Sequence, residues 1–317
     1  MPRYVVTGAA GFIGSHLSNA LLDRGDHVVG IDALTDYYAR ELKEANLDVV
    51  HRREQFTFLE ADLSVAALGD VVAAADGIFH LAAQPGVRGS WGETFARYAR
   101  DNVVATQRVF EAAAQRGLRV VWASSSSVYG NAETYPTSED VRPRPISPYG
   151  VTKLCCESLA GAYAESAGLD HVALRYFTVY GPRQRPDMAY TRIVKALADG
   201  GTFTVFGSGH QSRDVTYVAD AVSATIAAMD RGVRGTAYNV GGGSETSLRD
   251  AIEICERLSG TSLNVTYAGD AAGDVRRTAA DTSRARRELE WEPRTSIDDG
   301  LRAHLEWAGV RVVGKRE

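Results

Sequence analysis

Tyr4-Val5-Val6-Thr7-Gly8-Ala9-Ala10-Gly11-Phe12-Ile13-Gly14 decides the fold of this chain. A short β-rich run ends at Thr7. Three glycines follow with the spacing G-x-x-G-x-x-G, and a helical pattern begins at Ile13. Gly8 permits a tight turn, Gly11 lets the backbone come close to a pyrophosphate, and Gly14 lets helix and strand pack closely. A helix opened in this way points free N–H groups and a partial positive charge at bound phosphates. The next β-rich run, 27–31, ends at Asp32, 18 positions beyond Gly14. A carboxylate there accepts hydrogen bonds from both hydroxyls of an adenosine ribose and repels a 2′-phosphate. Residues 33–36, Ala-Leu-Thr-Asp, offer no compensating Arg. Strand, glycine turn, helix and acidic residue together predict a dinucleotide site that prefers NAD to NADP.

Working outward, short apolar runs at 56–60, 77–81, 119–124 and 172–176 alternate with helical patterns at 95–116 and 149–167. Such alternation predicts an α/β protein with a doubly wound parallel sheet. Beyond residue 176 the pattern is less regular. Gly181-Pro182 and Arg185-Pro186 mark a loop. Strands are expected at 202–206 and 214–218, and helices at 193–199, 247–258, 283–289 and 297–308. Residues 315–317 read as a frayed terminus. The chain therefore divides into an NAD-binding Rossmann unit, 1–176 plus 212–238, and a smaller C-terminal substrate-binding α/β unit, 177–211 plus 239–317.

The 317 residues are 44% hydrophobic, ample for a large core. A net charge of −5 gives no electrostatic footprint for nucleic acid. Cys155, Cys156 and Cys255 show neither metal-ligand spacing nor a disulfide framework, and read as reduced thiols. The N-terminal run is short, broken by glycines and without a cleavage-site pattern. No apolar run approaches the roughly 20 residues that span a bilayer. These features predict a cytoplasmic protein with neither membrane nor metal partner.

Tyr149-Gly150-Val151-Thr152-Lys153 puts a phenol and an ammonium one helical turn apart on one face. Ser124-Ser125-Ser126-Ser127-Val128-Tyr129-Gly130 follows the run at 119–124, and strand C-termini are where a doubly wound sheet places its ligand. An ordinary phenol is a poor base at pH 7. A nearby ammonium and a cationic nicotinamide ring favour phenolate, and a hydroxyl can hold the oxygen that loses its proton. Asp62, ending the run at 56–60, either accepts from the adenine amine or caps a helix.

These motifs, with His80-Leu81-Ala82-Ala83, Leu174-Arg175-Tyr176-Phe177 and Arg213-Asp214, resemble the extended short-chain dehydrogenase/reductases of the NAD-dependent nucleotide-sugar epimerase/dehydratase group along nearly the whole chain. The resemblance implies Tyr149 as acid/base, Lys153 as its partner and ribose ligand, and Ser125 as the catalytic hydroxyl, with Ser124 the neighbouring candidate. It implies a cofactor site drawn from Gly8, Gly11, Phe12, Ile13, Gly14, Asp32, Asp62, Leu63, Leu81, Ala82, Ala83, Ser124, Tyr149, Lys153 and Tyr176. Asn102 matches a position near the cofactor, or makes a structural bond within its helix. A homodimer built from the helices at 95–116 and 149–167 is also implied.

Relatives that eliminate water carry Asp-Glu just after the catalytic hydroxyl, and decarboxylating ones a Glu at the second place. Here those positions are Ser126 and Ser127. Oxidation and re-reduction at one carbon, a 4-epimerisation of a UDP-sugar, is what remains; net oxidation with NADH release is the reading from another class. Three segments resemble those of UDP-glucuronate 4-epimerases: Asp32 to Tyr38 with Glu41-Leu42-Lys43, Gln84-x-Gly86-Val87-Arg88, and Arg185-Pro186-Asp187-Met188-Ala189-Tyr190. UDP-glucose/galactose is the alternative substrate. A uronic acid needs a cation for its C6 carboxylate, and Arg supplies a two-point fork. Arg185 and Arg192 are the candidates, each with surface exposure as its alternative. Family position puts Arg88, Ser126 and Thr178 at the sugar and Arg213 on the diphosphate. Asp274-Val275-Arg276-Arg277 resembles a second nucleotide contact, with Arg276 chosen.

Overall fold

The computed structural model describes residues 1–269 and 275–313. Asp274 and residues 315–317 lie outside the described residues. Twelve strands are seen among them: β1 (Arg3–Thr7), β2 (His27–Asp32), β3 (Phe56–Glu60), β4 (Gly77–His80), β5 (Arg119–Ser125), β6 (Asp170–Tyr176), β7 (Thr178–Tyr180), β8 (Thr202–Phe206), β9 (Ser212–Tyr217), β10 (Thr236–Val240), β11 (Glu245–Ser247) and β12 (Asn264–Ala268). Seven of them form one sheet in the order β10-β6-β5-β4-β1-β2-β3, and every pairing in it is parallel. Continuous apolar runs explain this, because a parallel sheet is covered on both faces. All four residues of β4 are buried, as are six of seven in β6.

The covering helices are α1 (Phe12–Asp23), α2 (Arg40–Asp48), α3 (Gly69–Val72), α4 (Phe95–Tyr98), α5 (Ala105–Arg116) and α6 (Pro148–Ala167). They are followed by α7 (Ala189–Asp199), α8 (Val218–Arg231), α9 (Leu248–Ser259), α10 (Ser283–Glu288) and α11 (Ile297–Trp307). Leu17, Leu21 and Leu22 of α1 meet Val222, Ala224 and Ala228 of α8 in one core. Val109, Phe110 and Ala113 of α5 meet Cys156 and Ala160 of α6 in a second core. Each fully buried Leu contributes about 1.5–3 kcal/mol. Ser147 caps α6 by accepting from the Gly150 N–H, Pro148 opens it, and Gly168 ends it at φ 71°.

The expected continuous helix over 95–116 is interrupted. Residues Ala99–Val104 form a π-helical segment between α4 and α5, a form often found at functional sites. The proposed division at 212–238 also needs correcting. β9 pairs with β7 and β11 in a separate three-stranded sheet, whereas α8 and the whole of β10 return to the large sheet. Asp214 explains why β9 stays out: its carboxylate accepts from the N–H groups of Gly242 (2.6 Å) and Ala280 (2.9 Å), anchoring β9 to loops of the smaller unit. That unit adds the parallel pair β8–β12 and a core of Tyr180, Ile193, Phe203, Ile252, Leu301 and Leu305.

Gly300 in α11 abuts Tyr180 so closely that an added Cβ would lie 2.1 Å from the hydroxyl oxygen and 2.7 Å from the ring. Gly300→Ala is expected to destabilise the chain by about 1–3 kcal/mol through overpacking, read as a lower urea midpoint with an unchanged slope.

Candidate active site

The order of the large sheet reverses between β1 and β4, and ligands of doubly wound sheets bind in the crevice outside such a switch point. A cleft opens there. Its walls include Gly8, Gly11, Phe12, Ile13, Gly14, Asp32, Asp62, Leu63, Leu81, Ala82 and Ala83 on one side of the chemistry, and Ser124, Ser125, Ser126, Tyr149, Lys153, Tyr176, Thr178 and Arg185 on the other.

The glycine turn fits a dinucleotide. Gly8 sits at φ +73°, and a Cβ on it would lie 2.8 Å from the Ala82 nitrogen. A Cβ on Gly14 would lie 2.0 Å from the Gly8 carbonyl oxygen. Gly11 faces the cleft with only that carbonyl near its missing Cβ, at 3.1 Å, so phosphates can approach the backbone. Asp32 is held by N–H groups of Leu34 (2.9 Å) and Ala10 (3.2 Å). Burial pushes its carboxyl up, while the Leu34 N–H and the Lys43 ammonium pull it back. Asn46 had no role in the sequence reading, and Lys43 entered it only within the resembling segment Glu41-Leu42-Lys43. Lys43 lines the cleft beside Asp32, with its ammonium donating to the Thr35 carbonyl at 2.7 Å. Asn46 donates to the Ala10 carbonyl at 3.0 Å and so braces the turn. Asp62 lines the cleft, and its carboxylate accepts from the Ser64 N–H (2.8 Å) and hydroxyl (2.7 Å), closing a turn rather than capping a helix, since the next helix opens at Gly69.

Beneath the cleft, Thr7, His80 and Thr106 form a buried chain. Thr7 Oγ1 accepts from the Ala82 N–H at 3.1 Å and lies 2.7 Å from His80 Nδ1, and His80 Nε2 lies 2.9 Å from Thr106 Oγ1. Burial, with the Lys153 charge adding to it, pushes the His80 imidazole down to about 3.

At the other end, α6 carries the phenol and the ammonium. Lys153 Nζ lies 6.0 Å from the centre of the Tyr149 ring and donates to the Ala123 carbonyl at 2.8 Å, where β5 ends. Ser125 lines the cleft, and its hydroxyl accepts from the Ser127 N–H at 3.1 Å. The Ser124 hydroxyl instead donates to Glu157 at 2.6 Å, and Glu157 forms a two-point pair with Arg175 (2.9 and 2.7 Å). That contact separates the two serines: Ser125 keeps its hydroxyl hydrogen for a ligand. Asn102 does not line the cleft. Its amide bonds both backbone groups of Gln84 and the Thr152 hydroxyl, so the structural alternative accounts for its position.

The substrate arginines divide. Arg185 lines the cleft, but Arg88, Arg192, Arg213 and Arg276 do not. Arg192 turns to the core, its guanidinium 5.3 Å over the Phe203 ring, which removes it as a reader of C6. Arg88 lies 4.6 Å over Phe206 at the end of β8. Arg213 and Arg276 come together at Ser212: Arg213 donates to its carbonyl (2.9 Å), and its N–H donates to the carbonyl of Arg276 (3.1 Å). Arg88, Arg213 and Arg276 thus gather beside β8 and β9. The three segments singled out for the uronate do meet. Tyr37 packs against Gly86, where a Cβ would lie 2.7 Å from its hydroxyl, and Arg185 lies 5.9 Å over the Tyr37 ring.

A glycine-turn dinucleotide crevice facing a Ser–Tyr–Lys set defines a cofactor-dependent enzyme that moves hydride at a carbinol carbon. The model of the NAD dependent epimerase/dehydratase family matches residues 4–241, and the chain belongs to that family. It is 43% identical over 302 residues to an uncharacterised UDP-glucose epimerase of Bacillus subtilis, covering 94% of this chain and 95% of that one. The structure of UDP-glucuronic acid 4-epimerase from Bacillus cereus, with UDP-glucuronic acid and NAD, superposes with a TM-score of 0.94 at 40% identity, over 97% of this chain and 99% of that one. MoeE5 is similar too, at 42% identity over 97% of this chain and 98% of its own, with a TM-score of 0.88 in complex with UDP-glucose and NAD. It has also been solved with UDP-glucuronic acid.

Asp32→Asn is expected to weaken NAD binding by about 1.5–3 kcal/mol, the worth of a charge-assisted hydrogen bond, and to reduce discrimination against NADP. Titration of both nucleotides into the purified protein reads both effects.

Proposed function

We propose that this protein is an NAD-dependent UDP-sugar 4-epimerase whose best substrate is UDP-glucuronate, converted to UDP-galacturonate. The observation that carries the uronate is Arg185: of the two candidate readers, it is the one that lines the same cleft as Thr178 and the serine run. The relatives of known structure bind UDP-glucuronic acid and UDP-glucose, so UDP-glucose remains the competing substrate.

Gly8, Gly11 and Gly14 would hold the pyrophosphate of NAD, Asp32 and Lys43 the adenosine ribose, and Lys153 the nicotinamide ribose. When bound, NAD supplies a hydride acceptor and donor at C4 of the sugar. Tyr149 takes the proton from the C4 hydroxyl and later returns it. Ser125 donates to the same oxygen and holds it while it is a ketone. Lys153, buried against the Ala123 carbonyl, has its Nζ 6.0 Å from the centre of the phenol ring, where an ammonium favours phenolate. Ser126 and Ser127 bring no acid to the sugar, so neither elimination nor decarboxylation has a proton donor there. Arg185 holds the carboxylate near the ring plane, which disfavours loss of CO₂ from a β-keto acid. Arg213 and Arg276 serve the nucleotide end, and Arg88, placed at the sugar by family position, is reassigned to that end because it lies over Phe206 and outside the cleft lining.

The assembly is read as a homodimer in the cytoplasm. Trp91, Phe95, Val104, Ile146 and Val151 are exposed large apolar residues on or beside the 95–116 stretch and α6, where the exposed Cys155 also lies; such patches mark association surfaces. All three cysteines are free, and no described helix is long and apolar enough to cross a membrane.

Mass spectrometry of products from UDP-glucuronate and UDP-glucose tests the assignment, with C4 epimers and no accumulated NADH expected. Tyr149→Phe should lower turnover by about 10²–10⁴-fold and leave NAD affinity unchanged. Wild-type epimerisation rates in that variant would refute the assignment.

A further inference from the structure

Arg185 is not a free cation. Its Nε donates to Asp187 Oδ1 at 3.0 Å and its Nη2 to Asp187 Oδ2 at 3.1 Å, a two-point pair formed two residues along the same loop. The Tyr37 hydroxyl donates to the same Oδ2 at 3.3 Å. Tyr37 is fixed in turn by Gly86, whose missing Cβ makes room for the phenol oxygen. Asp187 itself does not line the cleft; Arg185 and Tyr37 do. Among the described residues, the two Nη1 hydrogens of Arg185 have no protein acceptor, so that edge of the fork is what a sugar meets.

We propose that Asp187 is a specificity-determining residue that acts through Arg185: by occupying one edge of the fork and balancing its charge, it lets the site accept a neutral hexose as well as a uronate. The proposal rests on Arg185 being the C6 reader. A half-buried guanidinium without a counter-ion would demand a carboxylate, because a neutral hydroxymethyl would leave its charge uncompensated. With Asp187 in place, that charge is compensated whichever sugar is bound. The same carboxylate also opposes the C6 carboxylate of a uronate across the guanidinium, and like charges at that range weaken binding. Both effects narrow the gap between the two substrates. The Tyr37 hydroxyl holds Asp187 in place and tunes the effect from the cofactor side of the cleft.

The test compares kcat/KM for UDP-glucuronate and for UDP-glucose in wild type, Asp187→Asn, Tyr37→Phe and Arg185→Gln. Asp187→Asn keeps the shape and removes the charge. It should raise the uronate-to-glucose ratio about tenfold, an effect typical of one partly screened charge, with the change in KM rather than kcat. Tyr37→Phe, which removes one hydroxyl, should move the ratio the same way by about two- to threefold, and it stands as the test if Asp187→Asn does not fold. A ratio that stays within twofold or falls in Asp187→Asn, or one that falls in Tyr37→Phe, overturns the role of Asp187. Arg185→Gln separates the two levels. It should lower the ratio. If it does so while Asp187→Asn has no effect, only the role of Asp187 is lost; if Arg185→Gln leaves the ratio unchanged, the reading of Arg185 fails and this inference with it.

Discussion

The molecule depends on a gap that its own topology creates. β1 and β4 are parallel neighbours, but the chain continues from β1 to β2 on one side of the pair and from β4 to β5 on the other, which opens a crevice at the ends of these two strands. Everything functional is arranged around that gap. On its first side the backbone comes bare of side chains to the opening at Gly8 and Gly11. On its second side β5 and β6 deliver hydroxyls and the helix α6. A parallel sheet can sustain such an opening because its remaining surface is so well covered: Val6, Phe79, Val120 and Val121 are all completely buried.

The helix α6 is fastened by polar contacts as well as by apolar packing. Lys153 reaches Ala123, and Glu157, one turn further, gathers Ser124 and Arg175. Arg175 also donates to the Tyr129 hydroxyl at 2.8 Å, which in turn donates to Asn239 of β10. Three strand ends and α6 thereby share one network. A buried ion pair of this kind is a weak source of net stability but a strict one of geometry, since removing either partner strands a charge. From the other side, Asn102 in the π-helical segment stitches α6 to the loop at Gln84. The Tyr98 hydroxyl donates to the carbonyls of Pro85 and Gly86, while its ring lies edge-on to Tyr149.

Much of this was legible in the sequence where one cause dominates. The glycine turn, its strand and the Tyr149–Lys153 pair are short-range features, and they stand where the spacing placed them. β10 escaped because Thr236-Ala237-Tyr238-Asn239-Val240 carries a fully buried Asn, a residue that disfavours strands. Its amide is accommodated by the carbonyls of Thr137 and Asp281, which are remote in sequence. α8 escaped because its buried face is built largely from alanines, which blur a hydrophobic period. α2 is mostly charged and buries only Lys43, Asn46 and Leu47. Lys43 stood out only by resemblance, within Glu41-Leu42-Lys43, and its place in the cleft beside Asp32 is set by the fold. The arginines show the limit most clearly. Arg185 and Arg192 look alike in sequence, and the capacity of one to face a sugar while the other faces Phe203 is decided by the turn of α7.

The threonine–histidine–threonine chain beneath the cleft is closed at both of its ring nitrogens. Thr7 accepts from Ala82 and also meets Nδ1, while Thr106 meets Nε2, so both ring nitrogens are partnered in either tautomer. Burial, with the Lys153 charge adding to it, keeps the ring neutral. The floor of the cleft is therefore uncharged, and the charged groups that the cleft offers, Asp32, Lys43 and Lys153 among them, stand on its walls above it.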